Sequence, residues 1–95
     1  MSEISVATYS LAGNVAWRSI DGRIFAVTQD GVLHVIETQS GVRLFEKVAA
    51  GVVPLSELVA MLTDEFDISH ETAEADTLEF LENGLAAAIF TLHRK

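Results

Sequence analysis

Val15-Ala16-Trp17-Arg18-Ser19-Ile20-Asp21-Gly22-Arg23-Ile24-Phe25-Ala26-Val27-Thr28 is the stretch on which the fold turns. Two runs of apolar residues alternating with small or polar ones flank Asp21-Gly22. That pair accepts the positive φ angles of a two-residue hairpin turn. A second turn, Gln29-Asp30-Gly31, leads into Val32-Leu33-His34-Val35-Ile36. The expectation is a three-stranded antiparallel meander. Trp17 and Phe25, the large aromatics of the hairpin, are expected to fill the core beneath it. If Leu33 and Val35 face inward with them, His34 looks outward.

Beyond Thr38 the apolar period changes from two to about 3.6. Val42, Phe45, Val48 and Ala49 share one side of a helix over roughly Ser40 to Ala50, which Gly51 ends. Pro54 suits the first turn of a second helix, along which Leu55, Leu58, Val59, Leu62 and Phe66 form a stripe. A third helix follows Ser69, a good N-cap, with Glu71 in its first turn. Its central face carries Ala73, Thr77, Phe80, Leu81 and Gly84, and Ala88 to Leu92 reads as a short C-terminal strand. Strands that precede helices, rather than alternating with them, define an α+β domain with a small sheet covered by helices. Residues 1–12 lack a firm period and are expected to be flexible, leaving one domain over 13–95. A sheet of three short strands leaves an edge whose backbone groups stand open to an extended chain.

Composition narrows the function. Fourteen acidic residues against six basic ones give a net charge of −8, and between Glu57 and Glu82 there is no Lys or Arg. Such a surface repels phosphate backbones and speaks against a nucleic-acid partner. The chain has no cysteine, which removes thiol nucleophiles and zinc–thiolate sites. Its longest uncharged stretch, Ile4 to Trp17, falls short of the ~20 apolar residues that span a bilayer. Met1 to Ser10 lacks the basic and apolar regions of a signal peptide. A soluble, cytoplasmic protein without a membrane partner is the expectation.

No catalytic or metal constellation emerges. His34, His70 and His93 have no spacing that makes two of them neighbours, and His70 with Glu74 lacks a third ligand. The glycines fall at turns and helix ends, with no phosphate-cradling GxxxxGK[ST] loop. Asp64, Glu65 and Asp67 lack the alternating ligands of a calcium loop. The chain therefore reads as non-catalytic, with no cofactor and no metal.

Several short strings, taken in order, resemble the PqqD-like family of precursor-peptide recognition elements. They are Val35-Ile36-Glu37, Gln39-Ser40-Gly41-Val42-Arg43-Leu44-Phe45, Gly51, Ser56-Glu57-Leu58, Phe66-Asp67-Ile68, and Glu74-Ala75-Asp76 with Phe80-Leu81. Together they run from about Val15 to Leu92. Glu37 stands where the family usually has Asn, Ser40 where Thr is usual, and one extra residue, Thr38 or Gln39, precedes the first helix.

The resemblance implies a winged helix-turn-helix fold and a peptide chaperone. Such a protein holds the leader of a ribosomally made precursor peptide by β-strand addition and presents it to a modifying enzyme. It also implies that the peptide lies against the third strand of the meander, along Val32, Leu33, His34, Val35 and Ile36, beside the third helix. A helical wheel leaves two flanks of that helix to line the groove: Ala75, Leu78 and Glu82, or Asp76, Glu79 and Phe80. The first is preferred for its apolar surface rimmed by acids. A homodimer or scaffold that pairs the same edge with a second copy is the main alternative. An acidic winged-helix regulator is the other, disfavoured because the third helix has no Lys or Arg.

Overall fold

The computed structural model describes residues 7–93. The elements run β1 (Thr8–Leu11), β2 (Ala16–Ile20), β3 (Arg23–Val27), β4 (Leu33–Ile36), α1 (Gln39–Ala49), β5 (Val53–Pro54), α2 (Leu55–Glu65), α3 (His70–Ala86) and β6 (Phe90–His93). The expected meander, three helices and C-terminal strand are all present, in an α+β winged helix-turn-helix arrangement.

The meander is antiparallel in the order β2-β3-β4. Its first turn is the expected one: Asp21 and Gly22 both have positive φ, 54° and 76°, which matches the twist of the strands they join. In the second turn Gly31 takes φ 84°, and its N–H donates to the Thr28 carbonyl at 2.9 Å. The buried Thr28 hydroxyl donates to the Asp30 carboxylate, which also receives the Val32 N–H. These bonds, that from Thr28 first, hold the Asp30 carboxyl below the ordinary carboxylate range.

Two strands escaped the sequence reading. Thr8–Leu11, within the stretch expected to be flexible, is the central strand of a second sheet, β5-β1-β6. It aligns Tyr9 with Val53 on one side and Leu92 on the other. Four residues are too few for a clear period, and the partners lie at the far end of the chain. Residues 1–6 of that expected segment lie outside the described residues.

The helices start where local chemistry says they should. Thr38 caps α1 by accepting the Gly41 N–H at 3.1 Å, and Ser69 caps α3 by accepting the Thr72 N–H at 3.2 Å. Their apolar faces meet in one core of Leu44, Phe45, Val48, Leu58, Leu62, Ala73 and Leu81, closed by Ile24 and Ala26 of β3 and Phe90 of β6. Between α1 and α2, Arg43 makes two 2.8 Å contacts with the Glu65 carboxylate and one of 2.9 Å with Glu46. The Arg43 guanidinium holds the Glu65 carboxyl below its usual range.

Trp17 lies on the core side as expected, whereas Phe25 does not, and the condition under which His34 would look outward is not met. Ile24 and Ala26 point into the core, with Trp17 and Ser19 on their β2 partners and His34 and Ile36 on their β4 partners. Phe25, Leu33 and Val35 therefore lie on the outer face, where Leu33 is 56 % and Val35 43 % exposed. Trp17 is on the inner side but only capped by the core. It meets Phe45 edge-on at 5.1 Å and stays 40 % exposed. Both faces of the meander carry apolar side chains, so alternation alone does not say which is buried.

Candidate functional site

The free side of β4 follows from its hydrogen-bond phase. The Thr28 N–H donates to the Val32 carbonyl at 3.1 Å, making Thr28 and Val32 a bonded pair that closes the turn. Bonded and non-bonded pairs alternate along an antiparallel ladder. His34 opposite Ala26 and Ile36 opposite Ile24 are therefore bonded to β3, while Leu33 and Val35 are not. The N–H and C=O groups of Leu33 and Val35 thus point away from the sheet. No strand pairs with that side of β4 among the described residues. Of the expected backbone-pairing segment Val32 to Ile36, Leu33–Ile36 forms the strand and Val32 belongs to the turn.

Beside this open edge runs a groove whose opposite wall is α3. A cavity of about 180 Å³ is lined by His34, Val35 and Ile36 of β4, Phe80, Asn83 and Gly84 of α3, and Ala87, Ile89 and Phe90 beyond it. The lining is mostly apolar, with Asn83 and His34 as its polar groups. His34 is half-buried on the groove side of the strand.

The groove is shaped by two glycines and a row of aromatic rings. Gly84 lies against Phe90 so closely that a methyl group there would collide with the ring. Phe90 in turn packs on Phe80 at 5.5 Å and on Phe45 at 5.9 Å, and so ties the groove floor to the core. At Gly41 a Cβ would come within 2.6 Å of Thr38 Oγ1 and 2.9 Å of Ile36 Cγ2. Glycine there lets the first turn of α1 close over the end of β4 while Thr38 caps it.

The structure brings only part of the expected site together. His34, Val35 and Ile36 line the groove, and Leu33 continues the same strand outside that lining. Ala75, Leu78 and Glu82 do not line it; Ala75 and Glu82 are exposed and Leu78 half-buried elsewhere on α3. It is the flank of Phe80 that faces β4, extended by Asn83, which the sequence reading did not single out. Phe80 and Asn83 share the side of α3 that carries Gly84, the helix residue that lies against Phe90.

Charge is unevenly distributed around the site. Arg23 pairs with Glu37 at 3.5 Å and Lys47 with Glu57 at 3.0 Å, while Arg43 is held by Glu46 and Glu65. The acids of α3, Glu71, Glu74, Asp76, Glu79 and Glu82, take part in no ion pair among the described residues. No group of three or more His, Asp or Glu able to hold a metal ion occurs among the described residues. No helix there is long and apolar enough to cross a membrane.

A small winged-helix domain with an open strand beside an apolar groove is the class that fold and site define. Residues 38–89, more than half of the chain, match the family described as coenzyme PQQ synthesis protein D (PqqD). The chain belongs to the PqqD family. Its structure is similar to that of TbiB1, solved in complex with the TbiA(β) leader peptide. That match has a TM-score of 0.79 at 20 % sequence identity, and it covers 85 % of this chain and 93 % of TbiB1. No curated protein gives a significant sequence match.

Proposed function

We propose that this protein is a non-catalytic peptide chaperone of the cytoplasm that captures the leader of a ribosomally made precursor peptide as an added strand on β4 and presents it to a modifying enzyme. The observation that carries this reading is the outward-facing backbone of Leu33 and Val35 at the lip of an apolar groove. A guest strand there gains main-chain hydrogen bonds on one side and buries alternate side chains against Phe80 and Phe90 on the other. Each such bond contributes a net ~0.5–1.5 kcal/mol, so affinity depends on apolar anchors as well as on pairing. Membership of the PqqD family and the likeness to TbiB1 with its leader peptide support the same reading.

The outer face of the meander gives an enzyme something to hold. Ile20, Val27, Leu33 and Val35 are exposed there together, on the face turned away from the groove. A leader on the inner side and an enzyme on the outer side do not compete for the same surface.

An NMR titration with leader peptides encoded beside the gene tests the reading. Shifts are expected at Leu33 to Ile36 and at Phe80 to Gly84. Shifts confined to β2, or none with any such leader, would overturn it. Sedimentation separates capture from self-pairing, because a homodimer formed through β4 would dissociate as peptide is added.

A further inference from the structure

The groove does not stop at the end of β4. A second cavity, about 370 Å³, opens beyond Ile36 between the start of α1 and the middle of α3. Phe80 and Asn83 line both cavities, so the second lies next to the first along the same wall of α3. The walls change from one to the other: the β4 section is apolar, whereas the α1 section presents Asp76 and Glu79.

We infer that this pair of cavities selects leaders carrying a lysine or arginine just beyond the segment paired with β4, and that Asp76 and Glu79 receive it. The inference rests on the peptide-capture reading above and names the chemistry of the peptide. Asp76 and Glu79 sit three residues apart on one helix, where like charges repel each other. Among the described residues no basic side chain lines the cavity, and Arg43 and Lys47 of α1 are engaged with other acids. From residue 48 to residue 93 the chain contains no Lys or Arg. Among the described residues that line the cavity, the positive feature is the start of α1. Its dipole amounts to about half a charge, which two carboxylates outweigh.

A long basic side chain also fits the second cavity sterically. Its aliphatic stem can lie over Phe80 while the cationic head reaches the carboxylates. An extended guest advances about 3.3 Å per residue, so the basic residue stands at a fixed offset past the one opposite Val35.

The test uses a display library of random 15-residue peptides selected against four versions of the full chain: wild type, Asp76→Asn/Glu79→Gln, Val35→Pro and Ser19→Pro. Wild type and Ser19→Pro are expected to enrich apolar segments with Lys or Arg at one fixed offset. The double variant is expected to keep the apolar segments and lose the basic preference. In anisotropy titrations of a selected peptide, replacing its basic residue with norleucine should weaken wild type about fivefold at low salt and far less at high salt. The same replacement should leave the double variant unchanged. A wild type that enriches apolar peptides without a basic preference, or a double variant that retains one, would overturn the inference alone. Basic peptides that also bind Val35→Pro would mark general charge attraction and overturn it too. If no version enriches any peptide, the capture reading fails and the inference falls with it.

Discussion

Among the described residues the meander has two free edges, β2 and β4, and both present unpaired backbone. The Asp21-Gly22 turn makes Ile20 and Arg23 a bonded pair, so by alternation Trp17 and Ser19 are the β2 residues with outward N–H and C=O groups. On β4 the corresponding residues are Leu33 and Val35. Hydrogen-bonding capacity is therefore equal at the two edges. What differs is the wall beside each. All five residues of β2 are exposed, whereas β4 faces Phe80, Asn83 and Gly84 across a groove. An extended guest on β2 would gain backbone bonds but little burial, and net backbone bonds alone do not offset the entropy of ordering a peptide. An edge becomes a site when a helix stands close enough to share the guest.

That contrast can be broken by single substitutions. The largest effect is expected from Val35→Pro, which removes an outward N–H and places a ring at the open edge without breaking a bond to β3. Peptide affinity by calorimetry should fall about thirtyfold or more, as loss of pairing combines with steric exclusion. Circular dichroism should remain native. Phe80→Ala comes next. Removing an apolar anchor from the groove should weaken peptide binding about tenfold while destabilising the fold by ~1–3 kcal/mol, since the ring also packs on Phe90. Equal weakening by Ser19→Pro would contradict the distinction; affinity within about twofold of wild type is expected.

Gly41→Ala sharpens the same comparison through the end of β4. A methyl group there pushes against Thr38 and Ile36, so α1 loses its cap geometry and urea unfolding should show a cost of ~1–2 kcal/mol. The smallest effect concerns acid. Arg43 depresses the Glu65 carboxyl, and a depressed carboxylate adds stability that is complete above its unfolded pKa and is lost as pH falls through its folded value. Melting temperature should therefore decline below the ordinary carboxylate range. Glu65→Gln should blunt that decline only slightly, because the pair is solvent-exposed.

Much of this architecture was legible in local chemistry. Asp21-Gly22 named its turn, Ser69 its cap, and Ala73, Thr77, Leu81 and Gly84 their buried face. The strands β1 and β5 were not legible, because four and two residues carry no period and their pairing partners are distant in sequence. The site was half legible. Strand β4 could be named, but which face of the meander is buried could not be read from Trp17, Phe25, Leu33 and Val35, since apolar residues stand on both. The flank of α3 that lines the groove differs from the one preferred on the helical wheel for a related reason. Leu78 is the more apolar choice on a helical wheel, but Phe80, Asn83 and Gly84 are the α3 residues that line the groove opposite β4, a placement set by packing in space rather than by hydropathy.

Amide hydrogen exchange, read residue by residue with and without a leader peptide, tests the central claim most directly. The account predicts that Leu33 and Val35 exchange quickly in the free protein and slow markedly on binding. His34 and Ile36 should be protected throughout, and Trp17 and Ser19 should be unaffected. Protection of Leu33 and Val35 in the free monomer, or peptide-induced protection at Trp17 and Ser19 instead, would contradict it.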